Sequence, residues 1–339
     1  MANIWETNFS YKVLRHFVGW STRRNYSSVK VEGVENIPED AAVILAPNHC
    51  NTLMDALVVL QAMPGPSAFG ARADIFKKKT VGQILRFLKI VPLARQRDGA
   101  NAVMQNLEVF DEVVDIIGHG IPFCIFGEGT HHASHTVQPL KKGLWRIAMM
   151  AEDKLDKPVY IVPVGLDYKF FFRCATPLTI RFGEAVKFAD VREAGPIKFA
   201  ENIHGRIQGL VRRPDLDHIN EDGSFHFYKS PKTGVAKTLA NGVLGLLMLP
   251  FAIIWSILAL PMTIVSNILI GKMKDKTWSN TVRFGVRFAL LIVLTLIYGV
   301  LAFIFMKWYW AILFIFILHI SDTAFQWHLN WYKDAFIHE

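Results

Sequence analysis

The sequence predicts an α/β domain with a largely parallel sheet and flanking helices, joined to C-terminal transmembrane helices. Three observations carry this. Short apolar runs alternate with helical stretches across residues 29–188, the pattern that crossover connections between parallel strands produce. Beyond Lys237 the chain shifts to long, nearly uncharged segments. Finally, 339 residues at 52% hydrophobic content are too apolar for one ordinary soluble domain, so the excess must be concentrated somewhere.

Residues 1–28 hold no apolar run long enough for a signal peptide or a spanning helix. Val13, Leu14, Phe17, Val18 and Trp20 fall among Lys12, Arg15, Arg23 and Arg24, which fits a helix lying at a membrane interface. The same pattern fits an amphipathic helix packed on its own domain. Strands are then expected at 43–46, 90–93, 121–126 and 159–164, and helices at 53–61, 81–88, 101–117 and 143–151. From 189 to 237 the chain turns polar, with Pro196, Pro214, Pro231 and the run NEDGS, and reads as a helix over 197–211 followed by a connector.

The membrane region occupies 238–339. Segment 243–270 is divided by Pro250 and Pro261, segment 284–306 is long enough to span a bilayer at about 1.5 Å per residue, and segment 308–325 is interrupted by His319 and Asp322. Lys232 and Lys237 precede the first segment, and Lys272, Lys274, Lys276 and Arg283 follow it. Placing both flanks in the cytoplasm makes 243–270 a re-entrant hairpin, with a tilted span as the alternative. Trp308, Tyr309, Trp310, Trp327, Trp331 and Tyr332 fit an interfacial aromatic belt.

The net charge of +8 is scattered among apolar segments rather than gathered in one stripe, which favours anionic lipids and anionic substrates over nucleic acid. Cys50, Cys124 and Cys174 have no metal-like spacing and are expected to be reduced, buried and inert.

Chemistry concentrates in two stretches. In AAVILAPNHCNTLMD, residues 41–55, a strand runs into Asn48 and His49, and a helix carrying Asp55 follows. A histidine whose tautomer is fixed by a carboxylate has the parts of a general base for a substrate that brings its own hydroxyl. The bland alternative is a helix-capping histidine beside a solvated first-turn acid. In IPFCIFGEGT, residues 121–130, a second strand enters a turn where Gly127 and Gly129 let the backbone place Glu128.

Taken together, NHCNTLMD followed by FGEGTH resembles the glycerolipid acyltransferase family, enzymes that esterify glycerol-3-phosphate or lysophosphatidic acid. The resemblance runs from about residue 29 to 182 and includes IVPLARQRD at 90–98 and IVPV at 161–164. It implies His49 and Asp55 as the catalytic pair, and Arg95, or the neighbouring Arg97, as the holder of a substrate phosphate. It places Asn48, Glu128, Gly129, Thr130 and His131 in the acceptor site, Lys141 and Lys142 in a basic turn near the phosphate, and IVPV at the acyl site. For Glu128 the alternative is a carboxylate bonded to neighbouring amides; for the lysines it is a solvated surface.

Three positions depart from the family's pattern. Five residues rather than four separate His49 from Asp55, Gly127 stands in place of proline, and His131 stands in place of arginine. His131, His132 and His135 would invite a metal if the segment were helical, but no Glu is interposed and Pro139 follows, so no metal is expected. The resemblance implies an O-acyltransferase of phospholipid synthesis that moves an acyl chain from acyl-CoA or acyl carrier protein to lysophosphatidic acid, giving phosphatidic acid. Such a reaction needs no metal or redox cofactor, and the apolar segments with their flanking charges make this an integral membrane protein with its catalytic domain expected on the cytoplasmic face. Glycerol-3-phosphate and an aminolipid are the other acceptors, and a non-catalytic lipid-binding membrane protein is the reading from another class.

Overall fold

The computed structural model describes residues 3–94, 102–169, 171, 176–211 and 234–336. They form two compact units, one built chiefly from 1–23, 29–168 and 178–217, the other chiefly from 218–339.

In the first unit, helix α1 (Phe9–Arg24) leads into β1 (Ser28–Glu32), β2 (Ala42–Pro47), α2 (Leu53–Ala62), β3 (Ala68–Arg72), α3 (Lys79–Phe87) and β4 (Ile90–Leu93). Helix α4 (Ala102–Gly118), β5 (Phe123–Cys124), α5 (Gly143–Lys154), β6 (Val159–Tyr168), β7 (Pro177–Phe182), β8 (Val186–Lys187), the short α6 (Phe188–Val191) and α7 (Gly195–Leu210) complete it. The strands make one sheet in the order β1-β7-β6-β2-β5-β3-β4, with β8 on β6. Strand β2 is parallel to β5 and β6, and β3 is parallel to β4 and β5, whereas β7 and β8 run antiparallel to β6.

Strand β2 is AVILAP, and all six residues are buried. It lies between two parallel neighbours and is covered on both faces, so an unbroken apolar run replaces alternation. On one face Ala42, Ile44 and Ala46 share a core with Val113, Val114 and Ile117 of α4, Ile147 and Ala148 of α5, and Ile203 and Ile207 of α7. Because β2 and β5 are parallel, their carboxyl ends open on the same edge of the sheet, where sites of open α/β sheets form.

The expected strands at 43–46, 90–93 and 159–164 are present, the last extended to Tyr168. The strand expected over 121–126 is regular only at Phe123–Cys124, although Ile125 N–H still donates to the Leu45 carbonyl at 3.0 Å. Strands β1, β3, β7 and β8 were not expected. The residues of β3, AFGAR, are small and include a glycine, so they give no apolar run to read. In β7, PLTIRF alternates buried and less buried residues as an antiparallel strand does, rather than forming a continuous apolar run.

In the second unit, α8 (Val235–Leu258) and α9 (Leu260–Gly271) are followed by α10 (Ser279–Phe305) and α11 (Trp308–Phe336). Among the described residues one helix, Lys276–Phe305, is long and apolar enough to cross a membrane; the bent pair formed by 242–258 and 260–272 is a second if it makes one span. The pair bends by 61° at Ala259, just before Pro261, which lacks the N–H needed to continue the helix, whereas Pro250 sits inside α8 without ending it. At the break the Tyr298 hydroxyl donates to the Leu258 carbonyl at 2.9 Å, the kind of substitute partner a broken helix needs in an apolar surrounding. The side chains of His319, Asp322, Trp327, Trp331 and Tyr332 lie outside the described residues.

Candidate active site

The site begins where β2 ends. Asp55, in the first turn of α2, has no exposed surface, and its Oδ2 accepts from three donors: His49 Nδ1 at 2.8 Å, Cys50 N at 2.9 Å and Asn51 N at 2.7 Å. Those bonds fold residues 49–51 around the carboxylate and exclude the solvated first-turn acid. The extra residue between His49 and Asp55 is absorbed at this turn, where Thr52 takes φ 51° and ψ −127°. A β-branched residue is seldom found at positive φ, so the turn carries local backbone strain. The histidine–aspartate contact forms despite the longer spacing.

With Nδ1 donating to Asp55, the imidazole is held in the tautomer that leaves Nε2 as the basic nitrogen. The ring stacks on Phe126, centroids 4.2 Å apart, and meets the His131 ring edge-on at 5.7 Å. Its side chain keeps 18% of its surface accessible, while Asp55 has none. A shielded carboxylate behind a partly open imidazole is the geometry a general base requires.

Asn48, expected in acceptor binding, is engaged by the protein's own main chain. It is buried, its Nδ2 donates to Leu166 O at 3.1 Å, and its Oδ1 accepts from Leu166 N at 2.7 Å. Both ends of the amide are engaged by the β6 main chain, so Asn48 fixes the exit of β2 against β6 and thereby places His49.

Glu128 is also buried. Its Oε1 accepts from His49 N at 2.7 Å and its Oε2 from Gln138 N at 3.2 Å. Burial raises its pKa to about 8, opposed by those two amide bonds. The amide-bonded alternative thus describes its contacts, and they tie two loops together through His49. Gly129 turns the chain at φ 74°, and a side chain there would approach Lys141 Cγ to 3.3 Å. Lys141 N also donates to Gly127 O at 2.7 Å, which brings the exposed Lys141 and Lys142 beside the Glu128 turn at the start of α5.

The segment after the turn is irregular, so His131 and His135 do not share a helix face. His132 N donates to His49 O at 2.9 Å, and the His132 ring lies 3.0 Å from the Thr130 hydroxyl. His135 is buried, its Nε2 at 2.7 Å from Tyr168 O. Among the described residues no three His, Cys, Asp or Glu side chains converge as a metal site. Cys50 and Cys124 are buried, and burial pushes both thiols well up, with Asp55 adding to the effect. The IVPV stretch lies in β6 with Ile161, Val162 and Val164 in the core. Arg95, Arg97 and Cys174 lie outside the described residues.

Sequence reasoning missed Phe126 and Gln138. Phe126 directly precedes the Gly-Glu-Gly turn, which is the one local signal it offered; Gln138 contributes only its backbone N–H to Glu128 and left none.

The class defined by this fold and site is an α/β domain with a hydrogen-bonded histidine–carboxylate pair at the carboxyl ends of its parallel strands. Residues 28–167 match the Acyltransferase family model. The chain is 26% identical over 135 residues to the 1-acyl-sn-glycerol-3-phosphate acyltransferase of Bacillus subtilis, a match that covers 40% of this chain and 63% of that protein. It is 23% identical over 147 residues to the human 1-acyl-sn-glycerol-3-phosphate acyltransferase alpha, covering 43% of this chain and 48% of that protein. The chain thus spans less than two thirds of the length of either relative. A crystal structure of the 1-acyl-sn-glycerophosphate (LPA) acyltransferase from Thermotoga maritima is similar at a TM-score of 0.45 and 23% identity, over 59% of this chain and 80% of that one.

Proposed function

We propose that this chain is a membrane-anchored O-acyltransferase that moves an acyl group from a thioester, acyl-CoA or acyl carrier protein, to the hydroxyl of lysophosphatidic acid. The observation that carries the reading is the 2.8 Å contact between His49 Nδ1 and the fully buried Asp55, with the imidazole itself partly open. The Bacillus and human relatives, by name acyltransferases of 1-acyl-sn-glycerol-3-phosphate, support the acceptor.

In the reaction, His49 Nε2 takes the proton of the acceptor hydroxyl as its oxygen attacks the thioester carbonyl. Asp55 stabilises the imidazolium through Nδ1. The tetrahedral intermediate collapses with cleavage of the C–S bond, and the departing thiolate recovers the proton from His49. An oxyanion at that stage needs preorganised donors. The amides of His49, Cys50 and Asn51 are already donated to Glu128 and Asp55, so that role falls to other groups. Lys141 and Lys142, with Arg95 or Arg97, supply the cations for the acceptor phosphate, Lys as a mobile point charge and Arg as a fork. The lysines and arginines flanking 243–270 support a cytoplasmic placement of the α/β unit.

The test is thiol release from palmitoyl-CoA by the purified protein in detergent, with lysophosphatidic acid, glycerol-3-phosphate, an aminolipid or no acceptor. Release that requires lysophosphatidic acid and falls by about 10²- to 10⁴-fold in His49→Ala is expected. Turnover retained in a folded His49→Ala variant overturns the mechanism. Release that needs a different acceptor overturns the substrate and keeps the base. No release with either carrier and any acceptor leaves a lipid-binding protein.

A further inference from the structure

Helices α1 and α3 carry their amphipathic faces the wrong way round for a water-facing surface. In α1, Phe9, Val13 and Trp20 recur at spacings of four and seven and so share one stripe. That stripe points away from the domain: all three are exposed, Phe9 to 80%. The opposite face carries Tyr11 and Thr22, both buried, and Arg15, whose guanidinium donates to the Leu60 and Met63 carbonyls at the end of α2. In α3 no residue is buried; Val81, Ile84 and Phe87 are exposed, Ile84 to 54%, while Arg86 turns to an ion pair with Glu112 of α4. In both helices a cation faces the protein while one stripe of apolar side chains, Phe9, Val13 and Trp20 in α1 and Val81, Ile84 and Phe87 in α3, is exposed.

The two helices are clipped together. The Tyr11 ring meets the Phe87 ring edge-on, centroids 6.3 Å apart. Lys89 Nζ lies 4.9 Å from the Tyr11 ring centroid and donates to the carbonyls of Ile4 and Glu6 just ahead of α1. Exposed Lys77, Lys78 and Lys79 lead into α3, and exposed Lys12 and Arg23 flank the stripe of α1. A cation-rimmed apolar surface of this kind matches the interfacial zone of an anionic bilayer, where apolar side chains enter the acyl boundary and lysines meet the headgroups. A second copy of the chain is a poor occupant, because isologous pairing would set lysine clusters of like sign against each other.

We infer that α1 and α3 together form a second membrane-docking surface, by which the α/β unit rests on an anionic bilayer independently of the apolar helices of 235–336. The inference stands whether or not the site transfers acyl groups.

The experiment uses the full chain in nanodiscs of phosphatidylcholine alone or mixed with phosphatidylglycerol. Nitroxide labels are placed singly at Val13→Cys, Ile84→Cys and, as a water-facing control, Glu201→Cys on α7. Cys50 and Cys124 are buried, and a labelled wild-type sample sets the background. With phosphatidylglycerol present, relaxation at 13 and 84 by oxygen should exceed that by a water-soluble nickel chelate, with the reverse at 201. The joint change Lys77→Glu, Lys78→Glu and Lys79→Glu should return position 84 to the chelate-exposed state. Because Val13, Lys77, Lys78, Lys79 and Ile84 are all exposed, these variants should keep the wild-type melting temperature. Chelate exposure at 84 equal to that at 201 overturns the inference, as does exclusion of both relaxants, which would mean cover by protein. Embedding that ignores phosphatidylglycerol and the lysine changes overturns the assignment to an anionic surface.

Discussion

Replacing Glu128 with glutamine isolates the electrostatic cost of burying a carboxyl beneath the His49 main chain. A rise from an ordinary 4.5 to about 8, at about 1.4 kcal/mol per pK unit, corresponds to about 5 kcal/mol. The sign follows from proton binding. Between pH 4.5 and 8 the folded protein holds a proton on Glu128 that the unfolded chain has released, so unfolding sheds a proton and stability falls as the pH rises through this window. The contribution is complete below 4.5 and lost above 8. Glu128→Gln has nothing to titrate and lacks this slope, whatever constant change comes from an amide nitrogen facing the N–H of His49 or Gln138.

Wild-type and variant proteins should therefore be melted in detergent from about pH 5 to about pH 8.5, followed by near-UV circular dichroism. The wild-type melting temperature minus that of Glu128→Gln should fall as pH rises, by about 10–20 °C over the range for a unit of this size. A difference that does not change with pH, or that grows, would show that the two amide bonds outweigh burial and keep Glu128 ionised throughout.

Two further outcomes test the same framework. Asp55→Asn should lower kcat by about 10²- to 10⁴-fold in the thiol-release assay, because an amide cannot hold the Nδ1–H tautomer and stabilise an imidazolium as a carboxylate does; wild-type turnover would remove Asp55 from the mechanism. Arg181→Met should destabilise the α/β unit by about 3–5 kcal/mol in denaturant unfolding, since Arg181 bridges Asp167 and Glu32 at 2.9 and 2.8 Å and donates to Leu210 O, and Asp167→Asn in the same chain should recover part of that loss.

What was legible in the sequence is what short separations encode. His49 and Asp55 lie six positions apart, and the turn between a buried strand and a helix leaves few ways to place them, so the pair could be named even with a residue added. Strands β2 and β4 declare themselves as apolar runs. Glu128 could be located but its partners could not, because the His49 amide it accepts from is 79 positions away and a backbone donor has no side-chain signature. The partners of Asn48 were hidden for the same reason: Leu166, whose main chain engages both ends of its amide, lies 118 positions on. The Arg181, Asp167 and Glu32 network was invisible because one of its links spans 149 positions.

The helices of the first unit show a different limit. Hydrophobic periodicity reports that a helix has an apolar face but not which way the face turns, because the same period serves a helix packed on a core and one lying on a bilayer. For α1 the sequence left both readings open, and for 81–88 it gave only a helix of the α/β layer. The deciding facts are contacts of charged groups: Arg15 reaching the carbonyls at the end of α2, and Arg86 paired with Glu112. Once the cation of each helix is fixed to the domain, its apolar stripe must face outward. The orientation of an amphipathic helix is thus read from where its polar side is held rather than from where its apolar side occurs in the sequence.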